Sequence, residues 1–266
     1  MLLWVEAALF LPLAETLITY AVAAAVSRVP PPPVNAGVRI CWLLREWIYE
    51  LIFIAIAFFV WPFDTALRKN RRDAERPLIV IVHGLFCSPS HWLPLALRLR
   101  RAGIANVIRP KYQGAGGLEE WSARLAGGLR DHKGGIIFIG HSFGGLAAAH
   151  AASRLPRGSV RKIITLGAPF GGTVMSYFGI APAGRRLIPG TEYLRTTNEV
   201  IAALEIPFIC FWSRFDQLVV PAESARMRGA ENIEMEGLGH TGYLFSRAVA
   251  DRLIALLKTE SAAAAG

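Results

Sequence analysis

Cysteine is scarce in this chain: Cys41, Cys87 and Cys210 are its only three among 266 residues. The number is odd and the spacing wide, so they form neither a disulfide framework nor a metal-ligand set, and a reducing compartment is compatible with them. Cys87 stands close to a motif treated below and reads as a small residue packed in a loop rather than as a reactive thiol. Acidic residues are also in deficit, 20 against 29 Lys and Arg, for a formal charge of +9. That surplus does not imply a nucleic-acid partner, because zinc-finger spacing, a basic zipper and an aromatic RNA-binding motif are all missing. No calcium site is evident either, and neither a metal nor an organic cofactor is expected. The first apolar run lacks a preceding basic residue and a small-residue cleavage site before Arg28, which argues against a signal peptide.

Apolar residues are plentiful, 53% of the chain, and the excess lies before Phe63. Residues 2–26 are long enough to cross a hydrocarbon core at about 20 residues per span, although Glu6, Pro12 and Glu15 interrupt them. Residues 47–63 (WIYELIFIAIAFFVWPF) are the stronger candidate, uncharged from Leu51 on and aromatic at both ends. Pro30 to Pro33 separate the two runs and must be extended. Three arrangements fit: a pair of spanning helices, a hairpin lying partly in one leaflet, or an amphipathic platform packed on the rest of the chain. The tightest basic cluster, Arg68, Lys69, Arg71 and Arg72, follows directly and suits anionic lipid headgroups. Its excess over Arg28, Arg39 and Arg45 in the connector places the downstream part on the cytoplasmic side of a membrane, a bacterial inner membrane in this reading. The expected organisation is an apolar helical anchor over 1–63, a basic linker over 64–76, a folded domain over 77–260 and a low-complexity tail over 261–266.

From Pro77 the pattern changes to short β-branched runs alternating with helical stretches. Residues 78–82, 107–108, 136–139, 162–166, 207–212 and 233–235 read as strands. Residues 91–101, 118–131, 143–154 and 243–258 read as helices. Continuous apolar strands alternating with helices predict an α/β fold, a mostly parallel sheet covered by helices on both faces. Residues 171–204 break the rhythm and read as a short cap inserted into the domain.

Gly140-His141-Ser142-Phe143-Gly144 carries the chemistry. A G-x-S-x-G pentapeptide between a buried strand and a helix makes a sharp turn that exposes the serine, with Gly140 and Gly144 needed because side chains there would collide with neighbouring strand and helix. The serine requires a base. His240, in the glycine-rich loop 237–242 after the last strand, has the placement that His83, His91, His132, His141 and His150 lack. The base requires an acid to orient it, and Asp216 follows the 207–212 strand, in the chain order serine, acid, histidine. Glu192, Glu199 and Glu223 are weaker candidates, each in the cap or in a helix. The oxyanion formed by attack requires donors, and these are the backbone N–H groups of Phe143 and Leu85. In the loop after the first strand, His83 shapes the backbone and Gly84 lets it approach the substrate.

These pieces resemble the α/β-hydrolase superfamily, in particular bacterial lipases and esterases with an HG-type oxyanion loop. The matching runs are VIVHGLF, GHSFGG, TLGAPFGGT, SRFDQLVVP and GLGHTG, spread over residues 77–258. The resemblance implies the α/β-hydrolase fold with a short lid, Ser142 as nucleophile, His240 as general base, Asp216 as acid, and Leu85 and Phe143 as oxyanion donors. It implies hydrolysis of carboxylic esters through an acyl-enzyme, with lipid or long-chain acyl esters as the substrate that a membrane location favours. Thioester or amide cleavage by the same residues, and a non-catalytic membrane scaffold of the same fold, are the alternatives. The sequence does not specify the oligomeric state.

Overall fold

In a computed structural model the chain is described over residues 2–27, 33–60, 73–111, 117–178 and 182–263. The expected basic cluster Arg68, Lys69, Arg71 and Arg72 and most of the proline tract lie outside the described residues.

Six strands form one sheet: β1 (Leu78–Val82), β2 (Val107–Ile108), β3 (Ile136–His141), β4 (Val160–Leu166), β5 (Phe208–Trp212) and β6 (Glu231–Glu234). Their order is β2-β1-β3-β4-β5-β6, and every pairing is parallel. Parallel neighbours need crossovers, and the first four of the five are α-helices. They are α3 (Leu93–Arg101), α4 (Gly117–Gly127), α5 (Phe143–Ala152) and α7 (Glu192–Ala202), with α9 (Arg247–Ala263) closing the chain. Side chains alternate across a strand, so β1 divides between two cores. Leu78, Val80 and Val82 pack with Leu118, Trp121, Leu146, Leu194 and Ile201 on one face. Ile79 and Ile81 pack with Leu95, Leu99, Leu253 and Leu257 on the other. Burial of each large aliphatic side chain contributes about 1.5–3 kcal/mol, and burial on both faces is why the strands read as unbroken apolar runs.

The strand order reverses between β1 and β3. Their carboxyl ends, with the loops that follow, therefore flank a crevice of the kind in which open α/β sheets bind ligands.

Three expectations change in detail. Helix α7 packs on α5, with Leu194, Thr197 and Ile201 buried, so it is the ordinary crossover between β4 and β5. The additional cap is confined to residues between Gly171 and Thr191, including a 3-10 turn (Val174–Tyr177) and the short helix α6 (Pro182–Arg185). The closing helix is divided into α8 (Gly242–Phe245) and α9, which meet at Ser246. Helix α9 also runs three residues into the expected tail, to Ala263; residues 264–266 lie outside the described residues.

The apolar front end forms α1 (Leu2–Val26) and α2 (Ala36–Phe59). Asn35 caps α2, its side-chain oxygen accepting from the Val38 N–H at 2.9 Å. The spanning reading of this region finds no support: among the described residues no helix is long and apolar enough to cross a membrane. The physical reason lies in the charges that α2 carries. Arg45, Glu46 and Glu50 all engage the loop at 237–242. The two helices pack on each other and on the sheet domain. Tyr20 and Trp42 both meet the Phe215 ring, at 4.4 and 5.2 Å between centroids. At the other end of α2, Phe53 lies 4.0 Å from the His91 ring, and His91 Nε2 donates to the Phe53 carbonyl at 3.2 Å.

Candidate active site

The turn between β3 and α5 holds Ser142 at φ 55°, ψ −130°, a left-handed conformation that few L-residues adopt. Two glycines permit it. A Cβ on Gly140 would lie 2.5 Å from the Gly144 carbonyl oxygen, and one on Gly144 would lie 2.4 Å from that of Val82. The helix therefore crosses the strands at backbone contact. Gly84 approaches from the opposite side, where a Cβ would stand 3.0 Å from the Ser142 Cβ. Beside Gly84, Phe86 also has positive φ, 59°.

His240 and Asp216 are brought together. His240 Nδ1 lies 2.9 Å from Asp216 Oδ2 and 3.1 Å from Oδ1. Asp216 is fixed in turn, because its Oδ1 accepts the N–H groups of Leu218 and Val219 at 3.0 and 2.9 Å. With both side chains enclosed, Nδ1 donates to the carboxylate and Nε2 is left for other work. Burial alone would lower the His240 pKa, but the Asp216 carboxylate, with Glu50 and Glu46 further out, outweighs burial and leaves it raised.

Ser142 and His240 line one cavity of about 360 Å³. Leu85 and Phe86 form part of its wall, as do Met175 and Leu187 from the cap and Phe53 and Ile54 from α2. Leu85 and Phe143, the expected oxyanion donors, also line a smaller adjoining cavity together with His83 and Gly84. His83 Nδ1 lies 2.9 Å from the Gly84 carbonyl, within the loop it was expected to shape. Met175 of the cap reaches the cavity, whereas Tyr177 and Phe178 are exposed. Ile180 lies outside the described residues. Cys87 is half-buried on the cavity wall, and burial pushes its thiol up to about 12. Among the described residues no group of His, Cys, Asp and Glu is arranged to hold a metal.

Several residues at this site escaped the sequence reading. Glu46 is fully buried; its Oε2 accepts the Gly242 N–H at 3.2 Å, and the neighbouring Arg45 pairs with it at 2.9 Å and donates to the Gly237 carbonyl. Burial raises the Glu46 pKa, opposed by hydrogen bonds from the Gly239 and Gly242 N–H groups and by Arg45. The Gln217 Oε1 accepts the His240 N–H at 2.9 Å. His141 Nε2 lies 3.1 Å from the His240 carbonyl oxygen. A carbonyl only accepts, so this nitrogen carries the proton; burial and the facing His240 keep His141 neutral, with a pKa well below the ordinary value. Gly167, at φ 59°, lets Tyr243 and Asp216 close on the backbone, since a Cβ there would stand 2.7 Å from the Tyr243 ring.

Comparison with known proteins agrees with the fold. Residues 79–216 match the alpha/beta hydrolase family model. A search of curated proteins finds no match. Among solved structures, the mature form of the Bacillus licheniformis lipase BlEst2 is similar at 17% identity and a TM-score of 0.56, over 70% of this chain and 94% of that one. A structure of the metagenome-derived lipolytic enzymes LipS and LipT is similar at 18% identity and 0.57, over 71% and 96%. The carboxyl esterase 2 of the fungus Tuber melanosporum is similar at 15% identity and 0.52, over 73% and 79%. At these identities the likeness is one of fold.

Proposed function

Because the chain belongs to the alpha/beta hydrolase family, we propose that it is a serine hydrolase that cleaves carboxylic esters through an acyl-enzyme. The observation that carries this is the opening of one cavity onto both the strained Ser142 and the buried His240–Asp216 pair. In the proposed cycle His240 Nε2 takes the Ser142 hydroxyl proton as Oγ bonds to the ester carbon. The carbonyl electrons move to oxygen, where the Phe143 and Leu85 N–H groups receive them. Collapse breaks the bond to the alcohol, which leaves with the proton from Nε2. Water then repeats the sequence on the acyl-enzyme, releasing the acid and free Ser142. Asp216 stabilises the imidazolium in both halves.

The apolar wall of Phe53, Ile54, Met175 and Leu187 suits an acyl chain, and the front end suggests where the chain meets its substrate. Helix α2 has inverted polarity. Glu46 and Glu50 point into the protein, while Ile40, Leu44, Ile48 and Ile52, four residues apart, are exposed on the opposite face, continued by Phe58 and Phe59. We infer that this face lies in one leaflet of a membrane, with the basic cluster at 68–72 near anionic headgroups, so that the substrate is a lipid or another long-chain acyl ester. Steady-state hydrolysis of p-nitrophenyl esters and matching thioesters of increasing chain length tests the reading. Wild type should prefer oxygen esters of the longer acids, and Ser142→Ala should lose all turnover. Equal rates in the two proteins would overturn it, and a preference for thioesters would reassign the substrate.

A further inference from the structure

Helix α2 does more than cover the cavity. It is fixed at both ends against elements of the site, by Arg45 and Glu46 on the 237–242 loop and by Phe53 on His91. Between these anchors Glu50 reaches the residue next to His240: its Oε1 accepts from the Thr241 hydroxyl. Glu50 also lines the cavity that contains Ser142 and His240. A carboxyl group enclosed in the protein is costly unless it has partners, and here the partner, Thr241, belongs to the base loop.

We propose that Glu50 is a positioning residue for the acyl-transfer reaction, a second carboxylate that holds the His240 loop through Thr241 and supports the imidazolium across space. This rests on the serine hydrolase reading above. Attack places a positive charge on His240, and a fixed negative charge nearby favours that state over the neutral one. Asp216 supplies the direct hydrogen bond; Glu50 adds to it from the other side of the polypeptide, from an element outside the common sheet domain. Among the described residues, Glu15 and Tyr20 face Glu50 from α1, Glu46 from α2, His240 and Thr241 from the base loop, and Cys87 from the loop after β1. Around His240 stand Asp216, Glu46, Glu50 and His141.

Burial lifts the Glu50 pKa to about 7, against the Thr241 bond and the His240 charge, which lower it. The Glu50 charge raises the His240 pKa and the His240 charge lowers that of Glu50, so the two titrate as a coupled pair. Turnover requires His240 neutral, and full support of the imidazolium requires Glu50 ionised, so activity rises with pH as both protons leave.

The test uses the full chain, a neutral short-chain aryl ester, and kcat and KM measured from about pH 5 to about pH 10. Glu50→Gln removes the charge but keeps an oxygen able to accept from Thr241. We expect kcat to fall about tenfold with KM within about twofold. Its acid limb should move to lower pH, because His240 loses a neighbouring negative charge, and should become as shallow as a single ionisation. Glu50→Asp keeps the charge and should restore kcat to within about threefold of wild type. A folded Glu50→Gln with the wild-type kcat and acid limb would overturn the proposal, as would Glu50→Asp behaving like a neutral variant. A wild-type chain that hydrolyses no ester would overturn both this inference and the reading beneath it, whereas an active wild type matched by Glu50→Gln would remove this one alone.

Discussion

Glu46, fully buried on helix α2, accepts the backbone N–H of Gly242 at 3.2 Å, joining the front of the chain to the loop that carries His240. With Arg45 on the Gly237 carbonyl and Trp42 packed where a Gly237 side chain would stand, the first two helices form one wall of the cavity. Their removal would open it and release the base loop.

Replacement of Glu46 tests that clamp. Glu46→Ala leaves the Gly242 N–H buried without its acceptor and removes the carboxylate that pairs with Arg45. The loss should be about 1–3 kcal/mol, lowering the melting temperature by several degrees and kcat together. Glu46→Gln keeps an acceptor and should be milder on both counts. Thermal denaturation beside ester turnover checks the pair, and an unperturbed Glu46→Ala would refute the clamp.

The glycines of the serine turn should separate sharply from glycines that face open space. Gly144→Ala drives a methyl group into the Val82 and His83 carbonyl oxygens, at 2.4 and 2.7 Å. It should cost about 3 kcal/mol or more and abolish reaction at Ser142. Gly127→Ala, at the end of α4, meets nothing within 4 Å and should leave stability unchanged or raise it by about 0.5–1 kcal/mol. Melting curves of the two variants provide the comparison.

Much of this was legible in the sequence because the signals are local. The strand, the pentapeptide and the helix after it are contiguous, so Ser142 and its two glycines could be placed from residues 136–152 alone. His240 and Asp216 followed from chain order, since each ends a strand-to-loop step on the same edge. Glu46 and Glu50 were not legible: one stands in the connector and the other near the start of the apolar run 47–63, and the groups that satisfy them lie near residue 240. Gly167 was hidden for the same reason, its neighbours Tyr243 and Asp216 being distant in sequence. Helix α7 did leave a signal, the three- and four-residue spacing of Leu194, Thr197 and Ile201, masked by the glycines and prolines before it.

The His240–Asp216 pair fixes a pH dependence. The His240 pKa is raised because Asp216, Glu50 and Glu46 outweigh burial, and the base works only when neutral. The rate kcat/KM should therefore rise with pH through a limb above that of an ordinary histidine. Asp216→Asn should lower kcat by about 10³- to 10⁴-fold and move the limb to lower pH. A pH–rate profile of both proteins decides; an unshifted limb in Asp216→Asn would separate the two residues functionally.

The outward face of α2 makes a separate prediction. Phe58 and Phe59 are largely exposed, at 73% and 76%. Replacing both with serine should reduce co-flotation with vesicles containing anionic lipid by about tenfold or more, without changing hydrolysis of a soluble short-chain ester. Equal flotation of variant and wild type would remove the lipid assignment of this face.

The most direct test of the central claim is reaction of the full chain with a fluorophosphonate, followed by mass mapping of the modified peptide. The account predicts one adduct, on Ser142, absent from Ser142→Ala and formed at least about 100-fold more slowly in His240→Ala. No adduct on the folded wild type, or one that persists in Ser142→Ala, would contradict it.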